Sequence, residues 1–193
     1  AVAGANLAVR EAAPAEVHEK YGVALEEGPS GGLPWLIVRY PVRNETRGLV
    51  WAGPAAGGDG GGWLDSPARR EIARLLRGGS LGAWVFLECG VRAQDEAAFT
   101  LLKGELERLG RVMRLPDEPE AAGGLTFGTL RLSREDPAET ALLRMLIKSE
   151  PDLEGLSGQP MVFPVYGRGL VLYALVGAGI NAVTITETAE FLA

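Results

Sequence analysis

Residues 158–179 read Gly-Gln-Pro-Met-Val-Phe-Pro-Val-Tyr-Gly-Arg-Gly-Leu-Val-Leu-Tyr-Ala-Leu-Val-Gly-Ala-Gly, and they constrain the fold more than any other stretch. Two apolar runs, Met161–Tyr166 and residues 170–176, flank Gly167-Arg168-Gly169. That is the pattern of a β-hairpin closed by a short glycine-containing turn. Pro160 stands at the entrance of the first run, where a missing N–H costs no ladder hydrogen bond.

A similar arrangement occurs earlier. Leu33-Pro34 leads into Trp35-Leu-Ile-Val-Arg-Tyr40, a β-prone run closed by Pro41, and the polar residues 43–47 link it to a second strand at 48–53. Ahead of this hairpin lie a short alternating segment at 6–10 and a helical pattern from Pro14 to Gly22. After it, the glycine-rich residues 57–62 read as a loop or linker. Asp65-Ser66-Pro67 then opens a helix with Ile72, Leu75 and Leu76 on its apolar face, ended by Gly78-Gly79.

Residues 81–88 read as a buried central strand. From Asp95 to Leu109, apolar residues at Ala98, Leu101, Leu102, Leu106 and Leu109 recur at helical spacing, and an acidic, proline-rich loop follows at 116–124. Residues 125–132 form the next strand, and Asp136-Pro137 starts a helix running to about Lys148. The hairpin at 161–176 comes next, and Thr184 with Glu187 forms a capping box for the last helix.

An internal echo orders these elements. Arg10-Glu-Ala-Ala-Pro-Ala-Glu16 resembles Arg134-Glu-Asp-Pro-Ala-Glu139, and Gly32-Leu-Pro34 and Gly158-Gln-Pro160 each precede a hairpin that leads into a helix. Residues 1–78 thus give β-α-β-β-α, and residues 79–193 give β-α-β-α-β-β-α. The second order, with its Gly-x-Pro entrance, strand, glycine turn and strand, resembles a thioredoxin-like domain. The resemblance implies an α/β fold of two tandem thioredoxin-like units, each a central mixed sheet flanked by helices. On that resemblance the first unit is expected to lack its opening strand and helix, and the second to be cut within its last helix. A more distant similarity is to exported bacterial proteins with tandem thioredoxin-like halves. It implies a cell-envelope or exported location and a Cys-x-Cys segment beyond the last helix.

In that family the reactive cysteine follows the first strand of the unit, near a helix N-terminus whose dipole favours thiolate. The matching residues here are Glu88-Cys89-Gly90-Val91-Arg92. Cys89 is the one cysteine of the chain, and Arg92 occupies the position of a resolving partner, so dithiol chemistry has no second sulfur here. Glu88 beside the thiol is expected to raise its pKa, and Arg92 to oppose that rise. The resemblance further implies cis prolines at Pro34 and Pro160. The backbone groups of Leu33 and Gln159 would then be open to an extended peptide.

Other motifs lead to structural readings. Gly177-Ala-Gly-Ile-Asn-Ala182 matches a loose dinucleotide pattern, but it follows the second strand of a hairpin rather than opening a βαβ unit. His18, with Glu16 and Glu19 nearby, is the single histidine and makes a poor metal site. Neither metal nor cofactor is expected. With a net charge of −6 and no basic block longer than Arg69-Arg70, nucleic acid is a poor partner, and no apolar run reaches membrane-spanning length.

The expected function is therefore a redox-inactive thioredoxin-like module that binds protein or peptide or acts as a scaffold. Its candidate binding residues are Leu33, Pro34, Gln159 and Pro160. The alternative is a thiol-dependent oxidoreductase using Cys89, or cysteines beyond Ala193. The apolar residues Trp35, Ile37, Leu49 and Trp51 of the first hairpin further predict a close contact between the two units.

Overall fold

The computed structural model describes residues 35–39, 49–54, 65–114 and 124–193. The segments expected at 6–10 and 14–22, His18, Leu33 and Pro34 lie outside these residues.

The first hairpin pairs β1 (Trp35–Arg39) with β2 (Leu49–Pro54) antiparallel, as a two-stranded sheet of its own. The main sheet is built from β3 (Gly82–Leu87), β4 (Phe127–Leu132), β5 (Met161–Tyr166) and two short outer strands, β6 (Leu170–Val171) and β7 (Leu175–Val176). Its order is β4-β3-β5, with β6 and β7 both on the far side of β5. β4 runs parallel to β3, and β5 antiparallel to it. The chain is thus α/β, a mixed sheet flanked by helices.

Every residue of β3 is buried, because the strand lies in mid-sheet with helices over both faces. Strand alternation divides its side chains. Ala83, Val85 and Leu87 face one core with Met161, Phe163 and Val165, under α1 (Pro67–Arg77) and α3 (Thr140–Ile147). Trp84 and Phe86 face the other core with Val162, under α2 (Arg92–Val112) and α4 (Ala182–Leu192).

The division at 78/79 leaves α1 with the first unit, yet its buried residues Ala68 and Ile72, with Leu75 and Leu76 packed beside them, belong to the core formed by β3, β5 and α3. Burial of such aliphatic side chains contributes about 1.5–3 kcal/mol each. Gly128 of β4 lets α1 come close, since a Cβ there would collide with the Leu75 side chain. At the helix start Ser66 Oγ accepts the Arg69 N–H at 3.3 Å. Ala68, another of the free donors of the first turn, donates to Glu139 Oε1 at 2.7 Å. Glu139 is only 1% exposed and closes the 3-10 turn Pro137–Glu139 ahead of α3. A buried carboxylate thus ties the start of α1 to the turn ahead of α3, its neighbour on the same sheet face. α3 also lies against β2, so the first hairpin contacts the second half of the chain.

The second hairpin forms where the sequence places it, with one irregularity. Val165 pairs with Val171, but Val162 pairs with Leu175, so the outer strand carries one extra residue. Pro164 is the cause: its carbonyl accepts the Leu172 N–H at 3.0 Å, and it has no N–H to return. The ladder opens there into a bulge. The Ala174 N–H within it donates to Glu150 Oε1 at 2.6 Å, and the Tyr173 hydroxyl lies 2.7 Å from Thr188 Oγ1 on α4.

Three boundaries differ from the sequence reading. α2 begins at Arg92. A 3-10 turn precedes α3, so the α-helix there starts only at Thr140. α4 is capped by Asn181, whose Oδ1 accepts the Val183 and Thr184 N–H groups, with Thr184 answering as the N3 residue. Thr184 is therefore the partner in the capping box and not its first member: the Asn181 side chain is one turn earlier and reaches the free donors first.

Candidate functional site

Three loops meet at the end of the main sheet where β3 leaves it: residues 88–91 after β3, residues 133–136 after β4, and residues 157–160 before β5. Cys89 lies in the first, partly buried. Its surroundings are set by Asp95 in the first turn of α2. Val91, the N-cap of α2, supplies no side-chain acceptor. Asp95 folds back and accepts the Cys89 N–H at 2.8 Å on Oδ1 and the Gly90 N–H at 3.0 Å on Oδ2. It is 2% exposed.

Burial pushes the Cys89 thiol above its ordinary pKa, and the Asp95 carboxylate raises it further by hydrogen bonding and by charge. The Val91 backbone N–H pulls the other way without reversing the direction. The thiol points at Gln94 Oε1, 3.7 Å away. Glu88, which the sequence assigns the role of raising the thiol pKa, is turned to Arg131, whose guanidinium also bonds Glu96 at 2.8 Å and lies 5.3 Å from the Phe99 ring centre. Asp95 is the acidic neighbour that acts on Cys89, and the nearby cation is Arg134 rather than Arg92.

Arg134 joins the loops. Its Nε donates to the Glu88 carbonyl at 2.7 Å, and its Nη2 donates to the Gln159 carbonyl at 3.2 Å. Burial lowers its pKa, while the negative charge available at Cys89 and Asp95 partly restores it. Gln159 and Pro160 thus lie across Arg134 from Cys89. The Gln159 N–H donates to the Leu156 carbonyl at 3.0 Å, and the Pro160 carbonyl accepts from Gly177 at 2.9 Å. The backbone groups of Gln159, expected from the sequence to be open to a peptide, are therefore both occupied, the carbonyl by Arg134 and the N–H by the turn Leu153–Leu156 that precedes it. Gly177 has a left-handed φ of +52°, and a Cβ on it would strike Gln159 Oε1. Gly177 therefore lets the Gln159 loop pack close.

Sequence reasoning singled out Cys89, Gln159 and Pro160, and the structure brings them to one end of the sheet. It missed Asp95 and Arg134. An acidic residue in the first turn of a helix without a capping side chain is a signal for the former. Arg134 follows its strand with nothing local to distinguish it. Among the described residues no group of three metal-ligating side chains forms, and no helix is long and apolar enough to cross a membrane. Comparison of the chain with protein-family models, with curated proteins and with solved structures finds no match in any of the three.

Proposed function

We propose that this chain is a thioredoxin-like module without dithiol chemistry, which binds an extended protein or peptide segment or holds partners as a scaffold. The reading rests on the order β3-α2-β4-α3-β5-hairpin-α4 around one mixed sheet, with β5 opposed to β3 and β4. The tandem form of the reading rests on the second antiparallel hairpin, β1–β2, likewise followed by a helix.

The observation that carries the functional part is Arg134, which ties the Cys89 loop to the Gln159-Pro160 loop while the cysteine at that junction is biased toward its neutral thiol. A nucleophilic cysteine needs the opposite bias. What remains is a partly exposed end of a sheet with a cation at its centre; because the Gln159 N–H and carbonyl are already bonded, a bound segment would engage the Arg134 guanidinium and the loop side chains rather than a free Gln159 backbone.

The test is a 15N NMR titration of the chain with reduced, carboxymethylated lactalbumin, an unfolded polypeptide without reactive thiols. Shifts confined to Cys89, Gly90, Arg134, Gln159 and Met161 are expected. A parallel assay follows disulfide reduction in insulin by dithiothreitol. Acceleration that disappears in Cys89→Ser would overturn the reading in favour of a thiol enzyme.

A further inference from the structure

Beside Arg134, a cavity of about 200 Å³ opens between β3, α3 and the 3-10 turn Leu153–Leu156. Leu87, Leu143 and Ile147 give it an apolar floor. Arg134, Arg144 and Lys148 surround it, with Glu154 as the single carboxylate. The concentration of cations is notable in a chain with net charge −6. The C-terminus of α3 attracts Arg144 and Lys148 by its dipole, so their position alone requires no ligand.

Arg134 does point to one. It is half-buried and its acceptors are two neutral carbonyl groups; among the described residues it forms no ion pair and Nη1 has no hydrogen-bond partner. Withdrawing a cation from water is costly, and the charge of nearby Asp95, with which Arg134 makes no direct bond, offsets that cost only in part. Among the described residues the side chains of Arg144, in the last turn of α3, and Lys148, its C-cap, are likewise unpaired, four positions apart, where like charges repel. An anion in the cavity would relieve all three. The volume is below that of pockets for drug-sized ligands, roughly 300–1,000 Å³, and accommodates one residue.

We infer that this cavity receives the carboxy-terminal residue of a bound peptide, its apolar side chain on Leu87, Leu143 and Ile147 and its carboxylate among Arg134, Arg144 and Lys148. The inference rests on the peptide-binding reading above and deepens it by naming the end of the chain that is recognised. The recognised chemistry, a carboxylate on a short apolar stem, also occurs in free fatty acids.

The experiment is an NMR titration of the labelled full chain with acetyl-Ala-Ala-Ala-Leu as the free acid, with the same peptide as its C-terminal amide, and with hexanoate. The free acid is expected to shift Leu87, Leu143 and Ile147. Amidation, or the double substitution Arg144→Ala and Lys148→Ala at two exposed positions, is expected to weaken binding about tenfold or more. Equal binding of acid and amide, with shifts only at Gln159 and Met161, overturns this inference and leaves peptide binding intact. Hexanoate binding as tightly as the peptide acid overturns the peptide assignment. Absence of shifts with either peptide or with the unfolded polypeptide overturns both readings.

Discussion

Asp95 and Cys89 are joined by a 2.8 Å bond from the Cys89 N–H to Asp95 Oδ1, which couples the geometry of the loop after β3 to the chemistry of its thiol. The same carboxylate that satisfies two backbone donors also disfavours thiolate. Replacing Asp95 by Asn keeps the shape, removes the charge and gives one of the two N–H groups a donor to face. A stability loss of about 1–3 kcal/mol is expected, with Cys89 titrating lower than in the parent chain. Urea unfolding and alkylation rate against pH measure the two effects. An unchanged thiol titration would show that Asp95 does not control Cys89.

The raised thiol pKa also sets the sign of a pH dependence. Folding favours the neutral thiol, so its contribution is fully present below the unfolded-state pKa of about 8.5 and is lost as pH rises through the higher folded value. Cys89→Ser should flatten the alkaline fall in stability over that window. Denaturation midpoints at successive pH values check it, and parallel curves for the two proteins would contradict it.

Gly177 and Gln159 test the support of the Pro160 loop. Gly177→Ala places a Cβ in a left-handed backbone and against Gln159 Oε1. The backbone part costs about 1–2 kcal/mol and the collision adds to it. Gln159→Ala in the same chain should restore the collision part alone. Additive losses in the double-mutant cycle would mean that the two residues do not touch.

Glu150 and Ala174 test the bulge. Glu150→Ala leaves the Ala174 N–H without its 2.6 Å acceptor. A loss of about 1–3 kcal/mol is expected, with faster hydrogen exchange at Ala174 than at Val165. Equal acceleration at both residues would place the effect in the hairpin as a whole.

For α1, Ile72→Ala is expected to cost about 2–5 kcal/mol, as for a residue of the sheet's own core. A chain beginning at Gly79 should be markedly less stable than the full chain, because the face made by Ala83, Val85 and Leu87 loses part of its cover. Equal unfolding midpoints for the two chains would refute that role of α1.

Periodicity and turn chemistry alone determined the described elements to within a few residues. Strands 35–40, 81–88 and 161–166, the α2 pattern and the glycine turn at 167–169 are local signals, carried by side-chain alternation, helical spacing and the conformational freedom of glycine. The lack of a second sulfur near Cys89 was equally plain. Tertiary structure decided which layer α1 joins, because its apolar stripe fits any apolar sheet face and only Leu75 against Gly128 and Ala68 against Glu139 select this one. It also decided that Asp95, rather than Glu88, governs the thiol. Neighbours in sequence at a strand end point to opposite sides, whereas a helix turn brings a residue six positions away back onto the loop. Arg134 lies furthest from any sequence signal, since its two acceptors are carbonyls 46 and 25 residues away, placed beside it by the packing of β3 between β4 and β5.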